Sequence, residues 1–327
     1  MINVLITGGS GFIGTNLVQL CINKGWRVLS IDSMAPQNKE HDDAFLHVDI
    51  LDAGLLKKTV QEFKPSHVVH LAARADLDGK DIGDYKANAV GVRNVIDALA
   101  KEASAKQAIF ASTKLVCANG YRPKFDEDFC PDTLYGESKV EGERILRDDS
   151  SLQCPWCIVR PTSIWGPWFG VPYRGFFLAV DKGYYFHLGR CNPPRSFGYV
   201  GNIVFQLMKI MEATGESIHR RTFYLTDYEE LTIREWADAI SRRLKGRPAR
   251  TVPEFMIQCA ALAGDCLKKL GWKNPPMTSF RLNNMRIDTT GIPLESIKRI
   301  TGPLLPYTME QGVDETVAWM KQRNLIE

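Results

Sequence analysis

The sequence predicts an α/β fold with a doubly wound parallel sheet, followed by a smaller C-terminal α+β part. Two observations predict it. In the first half, short apolar runs of strand length alternate with longer segments whose apolar residues have helical spacing. After Pro161, residues 165–199 are rich in glycine, proline and aromatic side chains. We therefore predict one domain over 1–163 and a second mainly over 164–327, with 199–215 packing back on the first.

The predicted elements alternate from the N-terminus onward. Residues 3–7 are a short apolar strand, and residues 12–24 have apolar side chains at helical spacing from Phe12 to Leu20, ending at Gly25. Further predicted strands are at 27–31, 45–48, 67–71, 108–112 and 156–160, and the helices between them are at 54–63, 83–103 and 135–147. In the second part, helical spacing returns at 202–213, 233–244, 253–270 and 309–322.

Composition excludes several classes of protein. The chain has 327 residues, 44% of them hydrophobic and 24% charged, which is typical of a globular protein. A net charge of +3 from scattered basic residues gives no reason to expect a nucleic-acid partner. No apolar run approaches the roughly 18 residues of a membrane span, so we expect no membrane partner. The N-terminus lacks the basic start of a signal peptide, which favours a cytoplasmic location.

No metal site is expected either. His67 and His70 lie in one predicted strand, where alternate side chains point to opposite faces, so they do not form a metal-binding pair. The eight cysteines show no convincing zinc spacing among themselves or with histidine.

A glycine-rich turn follows the first strand and opens the first helix. Its glycines, Gly8, Gly11 and Gly14, allow a tight turn and close approach to a diphosphate, and the helix N-terminus offers free N–H groups there, beside Phe12 and Ile13. This arrangement predicts a Rossmann domain that binds a dinucleotide.

The end of the second strand indicates which dinucleotide is bound. Asp32 lies there and could accept hydrogen bonds from the adenosine ribose hydroxyls. The carboxylate would repel a 2′-phosphate, and the first basic residue after it is Lys39, so NAD is favoured over NADP.

A second constellation lies further along the chain. Tyr135 and Lys139 are four residues apart on one helix face, and an ammonium near a tyrosine favours the phenolate and lowers the phenol pKa. Ser112 and Thr113 end a strand at the edge where a parallel sheet presents its ligands, so a hydroxyl there could hold a substrate oxygen. These residues suit proton transfer coupled to hydride transfer.

Together these segments resemble the extended short-chain dehydrogenases/reductases, the branch of NAD-dependent sugar-nucleotide epimerases and dehydratases. The resemblance covers essentially the whole chain. It implies that Thr113, Tyr135 and Lys139 form a catalytic triad, and it suggests a homodimer through helices near 90–100 and 135–147. The resemblance and the glycine turn together predict a set of cofactor contacts. These are Gly8, Gly11, Phe12, Ile13, Gly14, Asp32, Asp49, Ile50, Leu71, Ala72, Ala73, Asn88, Tyr135 and Lys139. The expected substrate contacts are Thr113, Ser163, Trp165 and Arg195, with Arg195 on a substrate diphosphate.

Departures from the family pattern restrict the chemistry. The 4,6-dehydratases of this branch typically carry Asp-Glu after the catalytic hydroxyl, and its decarboxylases keep the Glu, whereas this chain has Lys114 and Leu115. Leucine cannot transfer a proton, so elimination and decarboxylation are disfavoured. Ser163 stands where the family commonly has Asn, and Asn202 where it usually has Asp, which complicates the epimerase interpretation.

Three functional hypotheses remain. The leading one is a sugar-nucleotide epimerase acting at C4, in which Tyr135 removes the hydroxyl proton, the C4 hydride passes to tightly bound NAD⁺ and returns to the other face of the ketosugar. The alternative is an NAD-dependent dehydrogenase or reductase of a sugar nucleotide or another hydroxyl substrate, as in the hydroxysteroid-type relatives. A catalytically silent dinucleotide sensor is the third, and the intact triad argues against it.

Overall fold

A computed structural model gives the fold, and it describes residues 2–170, 172–189, 192–272, 275 and 277–326. The chain forms two compact units. The first comprises Met1–Phe169, Gly198–Tyr228 and Ile292–Tyr307, and the second comprises Gly170–Phe197, Glu229–Gly291 and Thr308–Glu327. The predicted assignment of 1–163 to the cofactor and 164–327 mainly to the substrate stays a prediction, because it concerns function.

The strands and helices of the described ranges follow in chain order. The strands are β1 (Asn3–Thr7), β2 (Arg27–Asp32), β3 (Phe45–His47), β4 (His67–His70), β5 (Gln107–Ala111), β6 (Trp156–Pro161), β7 (Ser163–Trp165), β8 (Phe186–Leu188), β9 (Pro194–Arg195), β10 (Phe197–Tyr199), β11 (Arg221–Leu225), β12 (Leu231–Thr232) and β13 (Arg250–Val252). The α-helices are α1 (Phe12–Asn23), α2 (Ala53–Phe63), α3 (Val90–Leu99), α4 (Leu134–Asp148), α5 (Tyr173–Asp181), α6 (Val200–Glu212), α7 (Gly215–Ile218), α8 (Ile233–Lys245), α9 (Glu254–Lys269), α10 (Ser279–Met285), α11 (Glu295–Thr301) and α12 (Met309–Gln322). Short 3₁₀ helices cover Lys39–Ala44, Ile82–Asn88 and Lys114–Val116.

The first unit is built on a parallel sheet. Within the described ranges, seven strands pair in the order β11-β6-β5-β4-β1-β2-β3, each parallel to its neighbours. Helices α2, α3 and α4 pack in series against one face, while α1 and α6 contact each other. Strand order reverses between β1 and β4, the switch point where such sheets bind ligands. The predicted doubly wound α/β fold is confirmed.

Apolar strand residues explain why the sheet is buried on both faces. Four of the five β1 residues are buried, and β4 is buried throughout. One core cluster joins Leu5, Val68 and Phe110 of the strands to Leu56 of α2 and Ile96 of α3. Strands that are buried on both faces in this way require helices on both sides of the sheet.

One predicted helix differs from the structure. Instead of a continuous helix over 83–103, a 3₁₀ helix over Ile82–Asn88 precedes α3. Asp81 caps the short helix by accepting from Asp84 N–H at 3.2 Å, and Tyr85 has non-helical backbone angles. The side chain of Asn88 is hydrogen-bonded to the backbone of Arg74, which fixes the chain at the break. The spacing of apolar residues cannot predict side-chain hydrogen bonds of this kind.

The described part of the second unit contains helices together with two short pairs of strands, one of two residues per strand and one of three. Strand β9 pairs with β12 antiparallel, and β8 pairs with β13 parallel. Helix α8 packs against α5 and α12, and its N-terminus has a capping box between Thr232 and Glu235. Gly246, at φ +67°, ends α8 in the left-handed region that glycine tolerates. Across the described ranges, no helix combines the length and the apolarity that crossing a membrane requires.

Candidate active site

The glycine turn lies between β1 and α1, at the switch point of the sheet. Gly8 has φ +75°, and a Cβ there would lie 2.5 Å from the backbone N of Ala72. A Cβ on Gly14 would lie 2.1 Å from the carbonyl oxygen of Gly8. These contacts mean that the turn packs backbone to backbone against both the end of β4 and the start of α1. Larger residues at either position would push the helix away.

The N-terminus of α1 is free to bind an anion. Gly11 is the N-cap residue and no side chain caps the helix, while its first turn contains no acidic residue. The first N–H groups of a helix have no partner within the helix and carry partial positive charge. This geometry is compatible with a bound diphosphate, and the contacts of Gly8, Gly11, Phe12, Ile13 and Gly14 with a dinucleotide stay a prediction.

Asp32 is positioned by the turn itself. Its two carboxylate oxygens accept from the N–H groups of Ser10 at 3.1 Å and Met34 at 3.0 Å. The carboxylate is half-buried at the end of β2 and keeps lone pairs for further donors. The geometry suits the predicted hydrogen bonds to ribose hydroxyls.

The other predicted cofactor contacts lie around the same edge of the sheet. Asp49 is exposed and accepts from Leu51 N–H, whereas Ile50 is buried against α3 at Gly91. The segment of Leu71, Ala72 and Ala73 follows β4 and is half-buried. Leu71 N–H donates to the carbonyl of Thr7 and Ala72 N–H donates to the Thr7 hydroxyl, which holds this segment beside the turn.

Asn88 connects this segment to α4. Its amide bonds the N–H and carbonyl of Arg74 at 2.9 Å each, and donates to the hydroxyl of Ser138 at 2.9 Å. The side chain is 1% exposed. Asn88 therefore links the segment after β4 to α4 through buried hydrogen bonds. Its role as a cofactor contact stays a prediction.

Two elements bring Thr113 and Tyr135 together. Thr113 caps the 3₁₀ helix Lys114–Val116 after β5, where its hydroxyl accepts from Leu115 N–H at 3.2 Å, and its side chain lies close enough to Tyr135, near the N-terminus of α4, to lower the pKa of that tyrosine. A Cβ on Gly136 would lie 2.2 Å from the carbonyl oxygen of Leu115, so only glycine lets the two elements approach this closely. Sequence reasoning did not include Gly136, although it lies within the tyrosine–lysine motif.

The charge state of this pair differs from the expectation. Burial raises the pKa of Tyr135 above its ordinary value, the hydrogen bond from Thr113 opposes the rise, and nearby Tyr85 adds to it. We expected Lys139 to lower this pKa, but burial lowers the pKa of Lys139 itself to about 8, with Glu143 opposing. Desolvation therefore dominates and shifts the pKa of each side chain toward its neutral form, although a pKa of about 8 leaves Lys139 mostly protonated at pH 7.

Lys139 is held at the base of the site. It is 4% exposed, and its ammonium donates to the carbonyl oxygen of Ala111 at 2.6 Å. One turn further along α4, the carboxylate of Glu143 binds the guanidinium of Arg160 through two hydrogen bonds, at 2.8 and 2.7 Å. Arg160 also donates to the hydroxyl of Tyr224 at 2.9 Å. This buried network fixes α4 to β6 and β11 directly beside the lysine.

Sequence reasoning missed His70 as a neighbour of the site. It ends β4, is 1% exposed, and is hydrogen-bonded through Nδ1 to the hydroxyl of Thr7 at 2.7 Å. Burial and the charge of Lys139 lower the pKa of His70 to about 3, so the imidazole is neutral. A histidine at the carboxyl end of a central strand was the available signal.

Tyr85 was missed as well. Its ring lies 6.2 Å from that of Tyr135 between centroids, and its hydroxyl donates to the carbonyl of Asp76. It therefore forms part of the wall around Tyr135. Its position depends on the 3₁₀ helix that periodicity did not predict.

The predicted substrate contacts have different environments. Ser163 begins β7 in the first unit and is half-buried. Trp165 is fully buried, with its ring centroid 5.1 Å from that of Tyr199, so it packs in the interior. Arg195 lies in β9 of the second unit and is half-buried. Their contacts with a substrate stay predictions. Among the residues described, no group of three His, Cys, Asp or Glu side chains could hold a metal ion.

Comparisons with known proteins point to one family. The model of the NAD dependent epimerase/dehydratase family matches residues 4–224. The chain is 26% identical to an N-acetyl-α-D-glucosaminyl-diphospho-ditrans,octacis-undecaprenol 4-epimerase of Escherichia coli O157:H7, over 97% of this chain and 95% of that protein. It is 27% identical to a 3β-hydroxysteroid dehydrogenase/Δ5→4-isomerase of Mycobacterium tuberculosis, over 72% and 67%. It is 30% identical to a UDP-N-acetyl-α-D-glucosaminuronate decarboxylase of Bacillus cytotoxicus, over 72% and 78%.

A solved structure has the same fold. The UDP-glucose 4-epimerase of Thermotoga maritima, determined with UDP-glucose, superposes with a TM-score of 0.74 at 20% identity. The similarity covers 99% of this chain and 100% of that one.

Proposed function

The chain belongs to the NAD dependent epimerase/dehydratase family, and on that premise we propose that it is a sugar-nucleotide epimerase that acts at C4 of the sugar. It is an NAD-dependent enzyme of the extended short-chain dehydrogenase/reductase type. The observation that supports the proposal most is that Thr113, Tyr135 and Lys139 lie at the carboxyl edge of the sheet, with Thr113 near Tyr135, Lys139 bonded to the carbonyl oxygen of Ala111, and leucine at position 115. This set can move a proton and steady an oxygen, but it offers no acid for elimination.

The proposed roles follow from the chemistry of each group. Thr113 would hold the C4 oxygen by a hydrogen bond, and Tyr135 would accept the hydroxyl proton and later return it. Lys139 would favour the phenolate when it is protonated. Bound NAD⁺ supplies the hydride acceptor for C4, and in reduced form the donor. Returning the hydride to the opposite face of the same carbon inverts its configuration.

A diphosphate-linked sugar is the proposed substrate class. Two similar proteins are a 4-epimerase of a diphospho-linked sugar and a UDP-glucose 4-epimerase solved with UDP-glucose. Arg195 offers a planar cation suited to a diphosphate, and we propose that it binds there. The predicted homodimer and cytoplasmic location belong to the same proposal, and sedimentation velocity checks the first of them.

A second candidate is an NAD-dependent dehydrogenase or reductase of a hydroxyl substrate. The similarity to a 3β-hydroxysteroid dehydrogenase/Δ5→4-isomerase favours it. The same Tyr135 chemistry would serve, but the reduced cofactor would leave in each cycle. Decarboxylation, the activity named for another relative, is disfavoured here because Leu115 cannot transfer a proton.

The experiment is an assay with purified protein and UDP-glucose, UDP-N-acetylglucosamine and their C4 epimers. We expect interconversion of one epimeric pair, followed by NMR, without lasting accumulation of reduced cofactor. Tyr135→Phe should lower the rate by about 10²–10⁴-fold because it removes the group that transfers the proton. Tyr184→Phe makes the same change at a side chain that is 74% exposed and should leave the rate unchanged.

Two outcomes would overturn the proposal. Stoichiometric production of NADH with an oxidised sugar or another oxidised substrate would establish the dehydrogenase instead. Full activity in the Tyr135→Phe variant would exclude Tyr135 as the acid and base.

A further inference from the structure

Two cysteines are paired in the segment that joins β5 to α4. Cys117 and Cys130 form a parallel β-bridge. Cys130 N–H donates to the carbonyl oxygen of Val116 at 3.0 Å, and Ala118 N–H donates to the carbonyl oxygen of Cys130 at 2.7 Å. Residues paired in this register carry their side chains on the same side of the two strands. The bridge therefore holds the two cysteines side by side.

The spacing of the bridge suits a disulfide. Neighbouring strands lie about 4.8 Å apart, and disulfides join cysteines whose Cα atoms are about 4.4–6.8 Å apart. The Cys117 thiol donates to the carbonyl oxygen of Asp128 at 3.3 Å, and it also lies beside the backbone N–H of Cys130. The sulfur of Cys117 is thus already turned toward Cys130.

Two other cysteine pairs are less suited. Cys154 and Cys157 are 6% and 0% exposed, so an oxidant in solution does not reach them, and burial raises the pKa of both thiols. Cys259 and Cys266 are exposed on α9, but seven residues of helix separate their Cα atoms by about 10 Å, which is beyond the reach of a disulfide.

We propose that Cys117 and Cys130 form a reversible disulfide when the protein meets a peroxide. The exposed Cys130 reacts first: its thiolate attacks one peroxide oxygen, the O–O bond breaks, and a sulfenic acid and hydroxide form. The Cys117 thiolate then attacks that sulfur, the S–O bond breaks, and a second hydroxide leaves. The two thiol protons convert both hydroxides to water. Two thiols are thereby oxidised and one peroxide is reduced.

The environments of the two thiols set this order. Cys117 is 4% exposed, whereas Cys130 is open to solvent. Burial raises the pKa of Cys117, and the backbone N–H of Cys130 and the guanidinium of Arg160 oppose the rise. Cys117 is therefore shielded from the peroxide and reacts with the neighbouring sulfur.

A short helix connects the disulfide to Thr113. The 3₁₀ helix Lys114–Val116 begins directly after Thr113 and ends at Cys117, whose N–H donates to the carbonyl oxygen of Lys114 at 3.1 Å. The Cβ atoms of a disulfide lie about 3.5–4.5 Å apart, closer than neighbouring strands, so the bond would draw Cys117 toward Cys130. The short helix would pass this displacement to Thr113. A lower rate of epimerisation in the oxidised protein then follows, and this consequence rests on the proposed function.

Peptide mapping of the full-length protein tests the pair directly. The reduced protein is treated with hydrogen peroxide, free thiols are blocked with N-ethylmaleimide, and the protein is digested without reductant. Trypsin cuts after Lys114, Lys124 and Lys139, so the two cysteines fall in separate peptides. We expect these peptides as one linked species that dithiothreitol separates. Cys130→Ser should give no linked species.

Activity measures the effect on the site. Oxidation should lower the rate of C4 interconversion by about tenfold or more, because a misplaced group at the site slows the reaction steeply, and dithiothreitol should restore the rate. Cys130→Ser should keep the rate of the untreated protein before and after peroxide, since the replaced side chain is exposed. Cys259→Ser is the matched control, because it removes an exposed thiol of the second unit, and it should respond as the unaltered protein does.

The results that would overturn the proposal are distinct. Absence of the linked peptides after peroxide treatment, or recovery of Cys130 only as sulfinic acid or blocked thiol, would exclude the disulfide. An unchanged rate in the linked protein would exclude its effect on Thr113. If no sugar nucleotide is converted before oxidation, the proposed function fails, whereas the mapping still decides whether the disulfide forms.

Discussion

Lys139 is the residue whose ionisation the fold opposes most directly. It is buried at the base of the site with a carbonyl oxygen as its hydrogen-bond acceptor, and burial lowers its pKa to about 8 from an ordinary value of 10.5. A cation there is useful only if it favours the phenolate of Tyr135 during reaction. The protein thus keeps a charge where it is costly to the folded state, which is typical of functional sites.

The pH dependence of stability measures this cost. Because the folded pKa of Lys139 lies below the unfolded one, the unfolded chain binds more protons between pH 8 and 10.5, and stability rises with pH in that window. Lys139→Met removes this contribution. The variant should be more stable than the unaltered protein below pH 8, by up to about 3 kcal/mol, and the difference should shrink toward pH 10.5.

Urea denaturation at several pH values checks this, alongside the same change at the exposed Lys101. The control should show no such trend. If the difference between the Lys139 variant and the unaltered protein stays constant from pH 7 to pH 10, the buried lysine does not titrate as described.

For single residues, sequence patterns predicted which side chains lie near one another but not how burial shifts their pKa values. The tyrosine–lysine spacing and the strand-end threonine located three side chains that the fold brings to one edge. The direction of the pKa shift of Tyr135 could not be predicted, since it depends on how completely surrounding elements exclude water. The sequence also did not predict that His70 lies beside the site, and its neutral form follows from burial beside Lys139.

At the scale of elements, close backbone approaches hold the site together. Gly8 and Gly14 let the turn pack closely against the end of β4 and the start of α1. Gly136 lets α4 approach the backbone of Leu115. Gly142 of α4 lies against the carbonyl of Asn88, where a Cβ would lie at 2.5 Å. Glycine spacing predicted the first turn. The roles of the α4 glycines depend on which element packs against them, and the sequence does not contain that information.

Gly14→Ala tests the first of these approaches. The added methyl would lie 2.1 Å from the Gly8 carbonyl oxygen, so the turn or α1 must shift. We expect a loss of about 1–3 kcal/mol in the free energy of unfolding and weaker NAD binding, measured by chemical denaturation and calorimetry.

The matched control is Gly175→Ala in α5, where the added methyl would have no heavy atom within 4 Å. Here alanine should stabilise by about 0.5–1 kcal/mol, because glycine is a poor helix former. Equal effects of the two changes would show that the turn does not need the close approach.

For the molecule as a whole, the sequence pattern predicted the parallel sheet. It predicted only in part which later segments of the chain belong to the first unit. Alternating strands and helices indicated the sheet over the first half. The first unit also includes Ile292–Tyr307, where Tyr307 N–H donates to the side chain of Asn202 across 105 residues of sequence. Contacts at that separation leave no periodic signal.

In the proposed epimerisation, a hydride leaves C4 and returns to the same carbon within one site. It is tested most directly with the nucleotide sugar that the enzyme converts, labelled with deuterium at C4 and incubated in ordinary water. We expect the epimer to form with the deuterium retained at C4, as read by mass spectrometry and NMR. Loss of the deuterium to solvent, or its appearance in released reduced cofactor, would contradict the claim.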